Sequence, residues 1–194
     1  MLDNFQADFA KSDWVKIPLG SVFWRMVHGK HEFLQQIGRV RFTCPMSFGR
    51  ELFRGTLGTR FEIRGKFTLS RGERRGGLGF YFGHPPVGVG LGSASWWTVR
   101  IDNRGGENSA DFAEEWGGHG DKQVKFFPWK DGSDFLLQRD QEKITLTVDG
   151  KKLFTKKIPP ETTGDAEAFG ISIIGAGVGA WADMWDVEVR KLND

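Results

Sequence analysis

A chain of 194 residues with 39% hydrophobic content is long enough to bury one sizeable core, and no apolar run approaches the ~18 residues of a membrane-spanning helix, so no membrane span is expected. The single cysteine, Cys44, excludes an intramolecular disulfide and a thiolate metal cluster. The net charge of +2 conceals +8 over residues 1–104 and −6 over the remainder, much of the excess being Arg39, Arg41, Arg50, Arg54, Arg60, Arg64, Arg71, Arg74 and Arg75. A basic face of this kind suits phosphate or nucleic acid. These arginines are spread over several strands and loops without a nucleic-acid motif, and solvated outer strand faces account for them better. No nucleic-acid partner is expected.

In chain order, Phe5 to Phe9 reads as a short edge strand, followed by Trp14, Val15 and Ile17. Val22–Val27 is another strand, and Gly29-Lys30 is the expected two-residue turn into His31–Ile37. Val40 and Phe42 share one face of the next strand with Arg39 and Arg41 on the other, and residues 46–58 are expected to form a loop. Phe61, Ile63, Gly65, Phe67 and Leu69 then alternate with Arg60, Glu62, Arg64, Lys66 and Thr68, the period of a half-buried strand. A charged connection, Arg71–Gly77, leads into Leu78, Phe80 and Phe82, and a Gly- and Pro-rich loop follows from Gly83 to Ser95. In the next strand Trp97, Val99 and Ile101 take one face while Trp96, Thr98, Arg100 and Asp102 take the other.

Residues 107–115 and 122–129 read as two more strands, joined by Trp116-Gly117-Gly118-His119-Gly120. Residues 134–158 form the clearest unit. Phe135 and Leu137 lead to a polar turn at Arg139-Asp140-Gln141, then Ile144, Leu146 and Val148 alternate with polar residues, and Asp149-Gly150 turns the chain into Leu153 and Phe154. Three antiparallel strands with one apolar face need a second sheet to cover them. Phe169, Ile171 and Ile173 run into a glycine-rich break at Gly175–Gly179, and the chain closes on Trp185, Val187 and Val189 against Met184, Asp186, Glu188 and Arg190. The expected fold is all-β, a jelly-roll sandwich of two packed antiparallel sheets, with residues 1–194 as a single domain.

The succession FTLSRGERRGGLGFYF, WWTVRID, FLLQRDQEKITLTVDGKKLF, AFGISIIG and ADMWDVEVRKL resembles the concanavalin A-like lectin/glucanase superfamily. Within it the chain is most similar to laminin-G-like modules and bacterial 3-keto-disaccharide hydrolase-like domains. The resemblance implies a sandwich with one concave face that often holds glycans, and structural calcium in several members, for which Asp8 and Asp183 are the oxygen donors in view. Otherwise no cofactor is expected. Glucanase members carry Glu-x-Asp-x-x-Glu or Glu-x-Asp-x-Glu on one strand; this chain has no such run, which favours a lectin-like carbohydrate-binding module over a glycoside hydrolase. A non-catalytic structural or protein-interaction domain is the third reading.

The candidate ligand-binding residues are Tyr81, Trp96, Arg100 and Asp102 on the face opposite the core set, bordered by Trp116 and Trp129. A sugar's C–H face stacks on an aromatic ring, while a guanidinium fork and a carboxylate serve vicinal hydroxyls or a uronate. The expected partner is therefore a glycan or glycoconjugate. For hydrolysis the carboxyl pairs in view are Asp186 with Glu188, roughly 7 Å apart by strand geometry, and Asp111, Glu114 and Glu115 near the aromatic loop. His28 and His31, flanking Gly29-Lys30, lack the third ligand a zinc site needs, and His119 sits between glycines beside the aromatic loop. No signal peptide is expected within this sequence, and the location is left open, an extracellular one included if a leader was removed.

Overall fold

The computed structural model describes residues 14–19, 24–27, 30–35, 38–43, 48–70, 75–83, 96–104, 107–115, 125–128, 130–157, 168–176 and 178–192. Within them lie fifteen strands: β1 (Val15–Lys16), β2 (Trp24–Val27), β3 (Lys30–Leu34), β4 (Arg39–Thr43), β5 (Phe48–Thr56), β6 (Arg60–Leu69), β7 (Arg75–Gly83), β8 (Trp96–Arg104), β9 (Glu107–Glu115), β10 (Lys125–Phe127), β11 (Ser133–Asp140), β12 (Lys143–Val148), β13 (Lys151–Lys157), β14 (Ala168–Ala176) and β15 (Trp181–Lys191). One sheet has eight strands in the order β13-β12-β11-β6-β15-β4-β3, with β1 also pairing β15; the other has seven, β10-β9-β8-β7-β14-β5-β2. Every pairing is antiparallel.

The period-2 alternation explains the core. Phe61, Ile63, Phe67, Ile144, Leu146 and Val148 of one sheet and Phe80, Val99 and Ile101 of the other are all buried, as their parity requires. Phe80 and Phe135 meet across the interface with ring centres 5.0 Å apart at 47°, and Phe67 lies 6.3 Å from Phe135. Asp149 and Gly150 take φ of 47° and 74°, the left-handed pair of a tight hairpin turn between β12 and β13. The Asp149 carboxylate also accepts from Ser133 Oγ at 2.9 Å and from the Asp134 amide at 3.0 Å, tying that turn to the start of β11. Among the described residues no helix is long and apolar enough to cross a membrane.

Several local expectations give way. The hairpin expected about Gly29-Lys30 is not seen in the strand pairing, Gly29 itself lying outside the described residues: β2 pairs β5 in the seven-stranded sheet and β3 pairs β4 in the eight-stranded one. Residues 48–56, expected as loop, form β5, paired with β14 over its full length. Its glycines, Gly49 and Gly55, conceal a strand whose order comes from its partners. The expected final strand of 122–129 is described only as Lys125–Phe127, and Phe5, Phe9, His28 and Cys44 lie outside the described residues.

The last strand reverses parity. Met184 is buried while Trp185 faces outward, because a bulge between Trp185 and Glu188 adds one residue to β15, with Asp186 at φ 51°. Beyond the bulge Val187 and Val189 return to the core. A plain alternation cannot anticipate this.

Arg139 is not a turn residue either. It continues β11 on the core side and is buried, its Nε donating to the Gln141 carbonyl at 3.1 Å; the turn is Gln141-Glu142, with Gln141 at φ 55°. Burial lowers its guanidinium pKa to about 10. The charge is thus disfavoured in the folded state, and that cost is fully present below about pH 10. It is relieved as pH rises towards the unfolded value. Arg139→Met should therefore raise stability by about 1 kcal/mol near neutral pH, with the advantage shrinking above about pH 10. Urea unfolding of both proteins across this range checks it; an advantage that grows with pH would contradict the assignment.

A candidate glycan-binding face

β7 reads Arg75-Gly-Gly-Leu-Gly-Phe-Tyr-Phe-Gly83. Leu78 and Phe80 enter the core, so the outward parity falls to Arg75, Gly77, Gly79, Tyr81 and Gly83. Three of these five positions carry no side chain, and a glycine inside a strand is costly unless something must approach the backbone closely. Gly77 and Gly79 are buried although they face away from the core. They lie opposite Asp102 and Arg100 of β8 on one side, and opposite Ile174 and Ser172 of β14 on the other.

Val99 and Ile101 are fully buried, which fixes Arg100 and Asp102 on the outward side, both half-buried and both held by interactions with their surroundings. Ser109 of β9 is opposite Asp102, donates to the Asp102 carbonyl at 3.3 Å, and is 1% exposed. Phe126 of β10 is opposite Ser109. Phe127 turns into the core, leaving Phe126 on the outward side, 58% exposed. One row therefore runs Phe126–Ser109–Asp102–Gly77, with an exposed aromatic ring at one end and buried glycine backbone at the other. Arg100 and Gly79 sit in the adjacent row.

Of the residues anticipated from sequence, Arg100 and Asp102 are brought together on this face. Tyr81 and Trp96 occupy β7 and β8 at positions of the same outward parity, but their side chains lie outside the described residues, as do Trp116 and Trp129 entirely. Asp111 is opposite Arg100 in the β9 register; its side chain and those of Glu114 and Glu115 are outside the described residues. Phe126, Ser109 and the outward glycines were not anticipated. The available signal was parity in Lys125-Phe126-Phe127, where two adjacent phenylalanines cannot both be core.

The outer face of the eight-stranded sheet is charged and aromatic. Arg41 grips the buried Asp183 with Nε and Nη2, both at 2.7 Å, and Arg39 reaches it at 4.0 Å. These guanidinium groups lie over Trp181 and Trp185, at 4.6 and 3.8 Å from the ring centres. Both Asp183 oxygens, considered for calcium, are therefore engaged by arginine, and Asp8 lies outside the described residues. Among the described residues no group of three or more His, Cys, Asp or Glu is placed to hold a metal.

On the same face a cleft of ≈ 690 Å³ opens over β6, β11 and the bulge of β15, and Asp186 and Glu188 both line it. The bulge removes the simple i, i+2 relation expected of that pair, and Glu188 is bound by Arg64 at 2.7 Å.

Two packed antiparallel sheets in this strand order form a jelly-roll sandwich, and solved structures with a galectin-like fold share it. A Bacillus subtilis protein of unknown function with a galectin-like fold superposes with a TM-score of 0.63 at 12% identity, over 87% of this chain and 89% of that one. A laminarinase from Flavobacterium sp. UMI-01 gives 0.61 at 12% identity over 88% and 93%. The carbohydrate-binding module CBM66 from Bacillus subtilis gives 0.54 at 11% identity over 87% and 96%. No protein-family model and no curated protein sequence matches the chain.

Proposed function

We propose that this protein is a lectin-like carbohydrate-binding module whose binding surface is the outward face of the seven-stranded sheet. The observation that carries the proposal is the row Phe126–Ser109–Asp102–Gly77 with Arg100 beside it. It pairs an exposed ring with a guanidinium and a carboxylate. A pyranose offers the complementary set: a C–H face for Phe126 and vicinal hydroxyls for Arg100 and Asp102. Tyr81 and Trp96 extend the face in this reading, and Trp116 and Trp129 border it. The likeness to a carbohydrate-binding module and a laminarinase supports the same substrate class at the level of fold.

A glycan array followed by calorimetry tests the reading. A retained glycan should be bound about tenfold more weakly by Arg100→Ala, a loss of ~1.5 kcal/mol for a hydrogen bond to a charged group. Phe126→Ala should weaken binding with little loss of stability, since an exposed ring leaves no cavity. Mass spectrometry of the retained ligand should return it unaltered; release of a shortened product would replace binding by hydrolysis. An array with no retained glycan would remove the proposal.

A further inference from the structure

We propose that the cleft on the outer face of the eight-stranded sheet is a second binding site, separate from the first, and that its ligand is a saccharide carrying a free amino group. At ≈ 690 Å³ the cleft falls within the ~300–1,000 Å³ of small-molecule sites. Its walls combine Trp14, Leu136 and Thr147 with seven charged side chains.

The pairing of those charges identifies the ligand. Arg190 binds Glu62 at 2.6 Å, Arg64 binds Glu188 at 2.7 Å and Lys66 binds Asp134 at 2.7 Å. Three cations thus neutralise three carboxylates, and the fourth carboxylate, Asp186, makes no hydrogen bond or ion pair among the described residues. The Lys66 ammonium is stabilised first by its hydrogen bond to Asp134 and only weakly by Asp186. Asp186 is exposed at the mouth of the cleft because the β15 bulge places it there. Among the described residues the cleft therefore carries one carboxylate more than its cations.

Its other surfaces favour a sugar as the bearer of the matching positive charge. The Trp14 ring is held by two guanidinium groups, Arg64 at 4.0 Å and Arg190 at 4.7 Å from its centre, so an aromatic wall is fixed in place before any ligand arrives. Carboxylates and guanidinium groups line the same cleft, offering acceptors and donors to hydroxyls that each donate and accept. An ammonium on such a ring would sit against Asp186 as a charge-assisted pair.

The test titrates the full chain with a β-1,4-linked glucosamine hexamer and with its fully N-acetylated counterpart, which differ in the charge on nitrogen. The amine form should bind about tenfold or more tightly than the acetylated form, as expected for one charge-assisted hydrogen bond. Asp186→Asn should bring the two within about twofold, and asparagine accepts the left-handed backbone, so circular dichroism and the melting temperature should match the parent. Trp14→Ala should weaken both hexamers together. Arg100→Ala, which disables the proposed face on the other sheet, should leave the amine preference intact, so failure of one site is distinguishable from failure of the other. Equal affinity for the two hexamers, or an amine preference that survives Asp186→Asn, would overturn the assignment. So would a lysine homopeptide that displaces the amine hexamer with equal affinity, because the site would then recognise ammonium without sugar.

Discussion

Gly76→Ala is expected to lower stability by about 3 kcal/mol or more, a fall of ~6–12 °C in melting temperature for a domain of this size. Gly76 opens β7 on the core side, where a Cβ would collide with the Trp181 carbonyl oxygen of the facing sheet and stand 2.9 Å from Ser70 Oγ. Neither atom can swing aside. The Trp181 carbonyl accepts from the Ser70 amide at 2.8 Å, the Trp181 amide donates to Ser70 Oγ at 3.1 Å, and Asn103 Nδ2 donates to the Ser70 carbonyl at 2.8 Å. The Ser70–Trp181 bonds lie within the eight-stranded sheet and the Asn103 side chain ties them to the seven-stranded one, so relief requires the layers to part. Equilibrium unfolding in urea measures the loss; an unchanged midpoint would show that the contact is soft.

Phe135→Ala should cost about 3–5 kcal/mol, the range for emptying a buried aromatic position. Phe135 is 2% exposed and touches Phe80 across the interface and Phe67 within its own sheet. Gly65 makes room for it: a Cβ there would stand 3.0 Å from the Phe135 ring and from Val187. Gly65→Ala should therefore be destabilising alone and much less so beside Phe135→Ala, with a coupling of about 1 kcal/mol in a double-mutant cycle. Strict additivity of the two changes would sink this account of why position 65 is glycine.

The strands that could be read from sequence are those whose face alternates without interruption. In β6, β8 and β12 the expected core residues Phe61, Ile63, Phe67, Val99, Ile101, Ile144, Leu146 and Val148 are buried, as are Phe135 and Leu137 of β11, where Arg139 unexpectedly joins them. Reading failed where alternation was masked or shifted. In β5 the glycines at 49 and 55 resemble a loop, and only pairing with β14 shows a strand. In β15 one added residue at Asp186 exchanged the roles of Met184 and Trp185.

The candidate site was legible in part for the same reason. Arg100 and Asp102 follow from the parity of Val99 and Ile101 alone. Phe126 lies on a strand of three residues, too short to show a period, and its place depends on Ser109, itself positioned by Asp102 on a third strand. The cleft was beyond sequence reading. It joins Trp14, Asp134 and Asp186, which only the sheet order brings together.

The position of β15 also bears on when this sandwich can form. It lies between β6 and β4 in the eight-stranded sheet, so Asp183 lies opposite both Thr68 and Arg41, residues made far earlier in the chain. During synthesis β6 can meet β11, and β4 can meet β3, but the two halves of that sheet have no shared edge until Lys191 has been added. Until then the apolar sides of β6 and β4 have an unfilled gap between them, with unpaired backbone on both flanks. Closing it joins segments more than a hundred residues apart, a slow event in a chain dominated by distant pairings. The step that completes the core is thus also the one that ends the period of greatest exposure to aggregation.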